Sequence, residues 1–143
     1  MKLNHEEVMG ILPHRPPMLL VDTVEELIPG DSIITKFYVD PDRDIFIGHF
    51  PSEPILPGVY SVECMAQAAD VLLLSDERCK GKLPLFIGID HVRFLSKISP
   101  GDMIEIHAKL IGAKLEKMVF TCYSEVYDNN ILAATGEVSL AMR

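Results

Sequence analysis

The sequence contains no tryptophan, few aromatic residues and few positive charges. Phe, Tyr and Trp together make up 7% of its 143 residues, too few for a platform that stacks nucleic-acid bases. Lys and Arg number 13 against 21 Asp and Glu, a net charge of −8. A general nucleic-acid binder carries a basic excess, and this chain carries the opposite. Net charge leaves a local basic patch open. No apolar run approaches the roughly 20 residues that span a bilayer. Met1 to Gly10 is polar and acidic at its centre, unlike a secretory signal. Neither nucleic acid nor a membrane is therefore expected as a partner. Cysteine is scarce too: Cys64, Cys79 and Cys122 are an odd count without CxxC spacing. That fits neither a disulfide scaffold nor a structural zinc site, and it points to a reducing cytoplasm. His5, His91 and His107 show no HxH or HExxH spacing, so no metal site is expected. No GxGxxG or Walker motif is present, which removes the usual dinucleotide and triphosphate readings.

Apolar residues make up 48% of the chain, enough for a real core, and no linker or repeat divides it. One domain over 1–143 is expected. Asn4 and Glu7 have capping-box spacing and predict a short helix that stops near Leu12, before Pro13, Pro16 and Pro17. Met18 to Leu27 and Ser32 to Val39 read as a hairpin about Pro29-Gly30-Asp31. Asp40 to Leu56 is a loop of about 17 residues, longer than most connections without a function. Pro57-Gly58 then opens a long helix to about Ser75 that is apolar on nearly every side, and so must be buried on nearly every side. Leu83 to Phe94, Met103 to Gly112, Lys117 to Tyr127 and Ile131 to Met142 read as strands joined by short turns, hence antiparallel neighbours. Ile104, Ile106, Ala108 and Leu110 face the core; Glu105, His107 and Lys109 face water. The economical solution is an α+β fold, a curved antiparallel sheet of about six strands wrapped around one long central helix.

Polar residues within that helix are informative. Glu63, Gln67 and Asp70, at i, i+4 and i+7, share one face. A carboxylate in so apolar a setting costs several kcal/mol unless it is paired, protonated or facing a cleft. Burial raises a carboxyl pKa, and a proton retained near neutrality is what a general acid needs; this makes Glu63 a candidate. A structural hydrogen bond or an oligomer seam would explain it equally. His49, in Gly48-His49-Phe50-Pro51, is suited to move a proton, and Pro51, Pro54 and Pro57 stiffen its path to the helix. Gly58 offers an N–H at the helix N-terminus, where a polarised carbonyl oxygen would fit; tight packing at the helix start would also explain a Pro-Gly pair. His14-Arg15 reads as the anchor of a turn. Cys64 reads as a small core residue.

Three stretches resemble one family in order and spacing. Leu12-Pro13-His14-Arg15-Pro16-Pro17-Met18-Leu19-Leu20-Val21-Asp22 is similar to the opening motif of the bacterial (3R)-hydroxyacyl-acyl-carrier-protein dehydratases. Gly48-His49-Phe50-Pro51, Pro54, Pro57-Gly58-Val59 and Glu63-Cys64-Met65-Ala66-Gln67 resemble its central motif. Ile89-Asp90-His91-Val92-Arg93-Phe94, followed by Pro100-Gly101-Asp102, resembles the third. The resemblance implies the hotdog fold, a homodimer joined at its sheet edges, and a trimer of such dimers. It implies an active site at the dimer interface, with His49 from one subunit and Glu63 from the other as the catalytic pair. Gly58, Val59 and Gln67 would contact the substrate carbonyl or acyl chain. The implied reaction is removal of water from a 3-hydroxyacyl thioester in fatty-acid biosynthesis, on a phosphopantetheine arm, with no cofactor. The partner would be the acidic acyl carrier protein, for which Arg93 and Lys97, flanking the third motif, are docking candidates. Ser52-Glu53, Tyr60 and Asp70 depart from the family pattern, while Glu63, rather than Asp, favours dehydration without isomerisation. A hotdog thioesterase using the carboxylate to activate water is the alternative enzyme; an acyl-binding partner without catalysis is the alternative outside enzymes.

Overall fold

Asn4 starts the first helix as its spacing to Glu7 predicts. In the computed structural model, which describes residues 1–143, the Asn4 side chain accepts the Glu7 N–H at 2.9 Å and the Glu7 carboxylate accepts the Asn4 N–H at 3.0 Å. This reciprocal cap opens α1 (His5–Ile11), which ends at Leu12 because Pro13 follows. The first strand, β1 (Thr23–Ile28), starts later than the sequence predicts. Met18 to Asp22 is irregular because its backbone is claimed elsewhere. The Leu20 N–H donates to the side chain of Gln67 at 2.7 Å instead of to a neighbouring strand. Gly30, at φ 75°, makes the turn into β2 (Ser32–Tyr38).

The stretch expected as a loop holds one helical turn, α2 (Ile45–Gly48), with no side-chain cap. Four residues are too few to show a helical period, so the sequence pattern hides it. The long helix, α3 (Gly58–Leu74), falls where predicted. At about 1.5 Å per residue it is roughly 25 Å long. From Cys64 to Leu74 every one of its side chains is buried, and only its N-terminal turns keep an open side, with Val59 71% exposed.

The wrapping comes from β1 and β2 together with β3 (Pro84–Phe94), β4 (Met103–Lys114), β5 (Val119–Asp128) and β6 (Ile131–Met142). They form one six-stranded antiparallel sheet in the order β1-β2-β4-β5-β6-β3. This is the predicted α+β architecture, the hotdog fold. Ile104, Ile106 and Ala108 are buried against α3, as their alternation requires. Leu110, expected in the core, is only half-buried, and a break in the β4–β5 register follows it. The strand that comes straight after the helix, β3, lies at the far edge of the sheet, paired only with β6. That edge is apolar and open: Leu85, Ile87, Ile89 and Phe94 are all exposed. No helix of the chain is long and apolar enough to cross a membrane. All three cysteines are buried free thiols.

Gly136 on β6 is packed tightly between Val92 of β3 and Met65 of α3. A Cβ there would lie 2.8 Å from Val92 Cγ2 and 3.3 Å from Met65 Sδ. Gly136→Ala is therefore expected to destabilise the protein by about 1–3 kcal/mol through overpacking. Gly10→Ala, in α1 with nothing within 4 Å of the new methyl, is expected to be neutral or stabilising by up to about 1 kcal/mol. Urea unfolding of the two variants checks both signs.

Candidate active site

The connection between β2 and α3 holds His49 by backbone and side chain at once. The His49 N–H donates to Ile45 O at 3.1 Å, ending α2, and the His49 carbonyl accepts the Ile55 N–H at 3.0 Å. Phe50 and Glu53 exchange N–H···O bonds in both directions at 3.1 Å, and the Leu56 N–H reaches Ile98 O at 2.9 Å. The imidazole Nδ1 lies 2.8 Å from the Ile55 carbonyl. A carbonyl oxygen only accepts, so Nδ1 carries the hydrogen. In the neutral ring Nε2 is then left with its lone pair. The ring also stacks on Phe50, centroids 3.9 Å apart. Rotation and tautomer are both constrained, which a mobile surface loop would not achieve.

His49 lines a cleft of ≈ 530 Å³ together with Gly58, Val59, Phe94, Lys97 and Ala133. Gly58 is the first residue of α3, and its N–H has no intrahelical acceptor. A Cβ there would lie 2.8 Å from the Phe94 ring, so a side chain would push that ring away. The glycine thus lets an aromatic wall of the cleft close over an open N–H at the positive end of a helix. Val59, on the next position, is open to the cleft. Lys97 stands on the rim with its ammonium paired to Glu53. That pairing holds the Glu53 carboxyl below its usual range, chiefly through the hydrogen bond. Arg93 is exposed on β3, near the same rim in sequence.

Glu63 does not line this cleft. It belongs to a second group of residues farther along the open side of α3. Its Oε2 accepts a hydrogen from Gln67 Nε2 at 2.7 Å. The other Gln67 amide hydrogen goes to Met18 O at 2.9 Å, and Gln67 Oε1 accepts the Leu20 N–H. Gln67 is fully buried, and its amide is fully used. In the single chain Gln67 has no open surface, and its amide fixes the Glu63 carboxylate. The Glu63 side chain is 22% exposed, with Oε2 3.9 Å from His14 Nε2. The same His14 nitrogen lies 3.9 Å from Asp70 Oδ2. Among the three polar residues of the helix stripe, Asp70 is the carboxylate set deepest in the core, 3% exposed. Its pKa is raised to about 8, by desolvation first and the Glu63 charge second.

One chain thus brings His49, Gly58 and Val59 to one cleft and sets Glu63 and Gln67 beside it, with His14 and Asp70 behind. His14 escaped the sequence reading, which took it for a turn anchor. The signal was there in Asp70, the third member of the polar stripe, because a buried carboxyl demands a partner and none stands next to it in sequence.

Comparison with known proteins places these features in a family. Residues 25–136 match the ApeI-like family, described as ApeI dehydratase. A 3-hydroxyacyl-[acyl-carrier-protein] dehydratase FabZ of Enterococcus faecalis is 46% identical over 114 residues, covering 80% of this chain and 81% of that protein. Another FabZ, of Oleidesulfovibrio alaskensis, is 38% identical over 142 residues, covering 98% and 91%. The solved dehydratase heterocomplex ApeI:P from Xenorhabdus doucetiae superposes with a TM-score of 0.76 at 22% identity, over 95% of this chain and 90% of that one, a likeness of fold. With the family match spanning most of the chain and identities this high over nearly its full length, the chain belongs to the FabZ and ApeI-like family of hotdog dehydratases.

Proposed function

We propose that this protein removes water from 3-hydroxyacyl thioesters on an acyl carrier protein, giving trans-2-enoyl thioesters for fatty-acid biosynthesis. The observation that carries the mechanism is the Nδ1–H of His49 held on the Ile55 carbonyl. It leaves Nε2 as a base inside the same cleft as the open Gly58 N–H. Nε2 takes the C2 proton of the substrate. Charge develops on the thioester carbonyl oxygen, and the Gly58 N–H and the helix terminus stabilise it where it forms. Glu63 gives a proton to the C3 hydroxyl, which leaves as water. Gln67 holds Glu63 Oε2, which fixes the orientation of the carboxyl. Val59 and Phe94 supply apolar surface for the first carbons of the acyl chain.

In this reading His49 meets Glu63 of a second copy. Two features support a dimer that joins the sheets at β3. The edge strand carries exposed Leu85, Ile87 and Ile89 with unpaired backbone, and Glu63 and His49 of one chain line different surfaces. Three such dimers would form the hexamer that the family resemblance implies. The acidic carrier would dock at Arg93 and Lys97 beside the cleft, delivering its pantetheine arm past Phe94. Local positive charge there offsets the unfavourable net charge of −8. The three free thiols suit a reducing compartment such as the cytoplasm.

His49→Ala and Glu63→Gln are each expected to lower turnover at least about a hundredfold, the scale of general acid–base catalysis, with circular dichroism unchanged. Enoyl absorbance with 3-hydroxyacyl carrier protein reads the reaction; release of free thiol instead would identify a thioesterase. Mixing the two inactive variants and allowing subunit exchange should restore part of the activity, because each hybrid dimer has one intact site. No recovery after confirmed exchange would place both groups in one chain. Arg93→Glu should raise KM for the carrier-borne substrate and leave KM for the same acyl group on free pantetheine unchanged; equal effects on both would refute docking at Arg93.

A further inference from the structure

Behind Glu63 lie two polar groups that the dehydration scheme does not use. Asp70 is only 3% exposed, and its Oδ1 is buried without a hydrogen-bond partner. His14 Nδ1 is likewise buried and unpartnered. His14 Nε2 stands between two carboxyl groups, 3.9 Å from Glu63 Oε2 and 3.9 Å from Asp70 Oδ2. These separations are too long for settled hydrogen bonds, and a small swing of the ring would close either one. The remaining candidate donor, the Gln67 amide, is already committed to Met18 and Glu63. His14 therefore offers Asp70 a ring nitrogen within 4 Å that also faces Glu63.

We propose that Asp70 and His14 form a proton reserve behind Glu63, in which a proton held on the Asp70 carboxyl reaches the Glu63 carboxylate through His14 Nε2. The inference rests on the reading of Glu63 as the proton donor. The transfer is balanced as follows. The Asp70 Oδ2–H bond breaks as an Nε2–H bond forms, giving an imidazolium that keeps its Nδ1 hydrogen. The Nε2–H bond then breaks as Glu63 Oε2–H forms, leaving neutral imidazole and an Asp70 carboxylate. One proton moves and nothing is oxidised or reduced. Asp70 is refilled by a proton taken from water at His14 Nε2, whose side chain is 19% exposed, and passed on to the Asp70 carboxylate. Asp70 and His14 act through Glu63 and touch no substrate; they are positioning residues.

Surrounding groups favour a loaded reserve at neutral pH. Burial, and then the Glu63 charge, raise Asp70 to about 8. Burial lowers the His14 pKa, with the Glu63 charge opposing it, so the ring rests neutral and ready to accept. From the same connection, the Arg15 guanidinium is spent on the carbonyls of Leu12 and His14, at 2.9 and 2.7 Å. From β5, the Cys122 thiol faces Asp70 and is itself pushed up to about 12 by burial and by Asp70, so it stays neutral. Arg43 and Asp22 bear on the neighbouring face of α3, at Cys64.

The test is the pH profile of the single-turnover dehydration rate. In the unaltered protein the rate should fall as pH rises through about 8, where the reserve empties. In Asp70→Asn, which keeps the shape but holds no transferable proton, that limb should move to lower pH by at least about one unit. His14→Gln should move it in the same direction. A profile that superimposes on that of the unaltered protein overturns the proposal. So does a uniform loss at every pH, which is what a merely structural role produces. Carboxyl carbon NMR of the unaltered protein keeps the question open to test if the variants fold poorly. Asp70 should titrate near pH 8, with a matching step in the Glu63 signal; titration of Asp70 in the ordinary carboxylate range overturns the proposal. Full turnover by Glu63→Gln would sink the reading of Glu63 itself, whereas an inactive Glu63→Gln beside an unmoved Asp70→Asn profile sinks only the reserve.

Discussion

The amide of Gln67 has no water to fall back on, and the rest of the site is arranged around that constraint. It sits on a helix enclosed by the sheet, and each of its hydrogen-bonding groups finds a partner in the protein. Leaving such a group unmet costs about 1–3 kcal/mol, so the partners are as fixed as the amide. Two of them, Met18 and Leu20, belong to the connection after α1, which is thereby pinned along α3. The third is the Glu63 carboxylate. One buried side chain therefore decides where a neighbouring segment runs and where a carboxylate points. It also explains why Met18 to Asp22 is not strand, and why His14, in the same connection, arrives opposite Glu63 and Asp70.

The proposed active site combines two devices of different kinds. Around His49 the control is by backbone: one helical turn, a pair of reciprocal N–H···O bonds and the Ile55 carbonyl set the ring and its tautomer. Around Glu63 the control is by burial and side-chain bonding on a rigid helix. A loop supplies the base and a helix supplies the acid, and the first turn of that helix supplies the open N–H between them. Two further carboxyls border this frame, and Asp70 among them departs from the family pattern. Glu53 ties down Lys97 at the rim of the cleft, and Asp70 adds a carboxyl behind the acid. Neither disturbs the residues proposed to do the chemistry.

The fold was largely legible in the sequence because its signals are strong and local. The apolar run from Val59 to Leu74 admits only a buried helix, and the turns at Pro29-Gly30-Asp31 and Asp128-Asn129-Asn130 punctuate the strands. Elements shorter than a period were not legible: α2 has four residues and no capping side chain. The start of β1 lies later than the apolar run Met18-Leu19-Leu20-Val21 suggests, because the hydrogen bond that keeps this run out of the sheet comes from a residue far along the chain.

The sequence by itself determined which groups are present and their order: a base among prolines, a Pro-Gly helix start, a polar stripe on an apolar helix, and a family pattern around them. Only the tertiary structure decided which of those groups meet. Gln67 became a strut for Glu63, Asp70 became more deeply buried than Glu63, and His14 came between the two carboxyls. The physical reason is that local pattern encodes burial along one element, whereas desolvation and hydrogen bonding inside a core depend on whatever distant segment is packed against it.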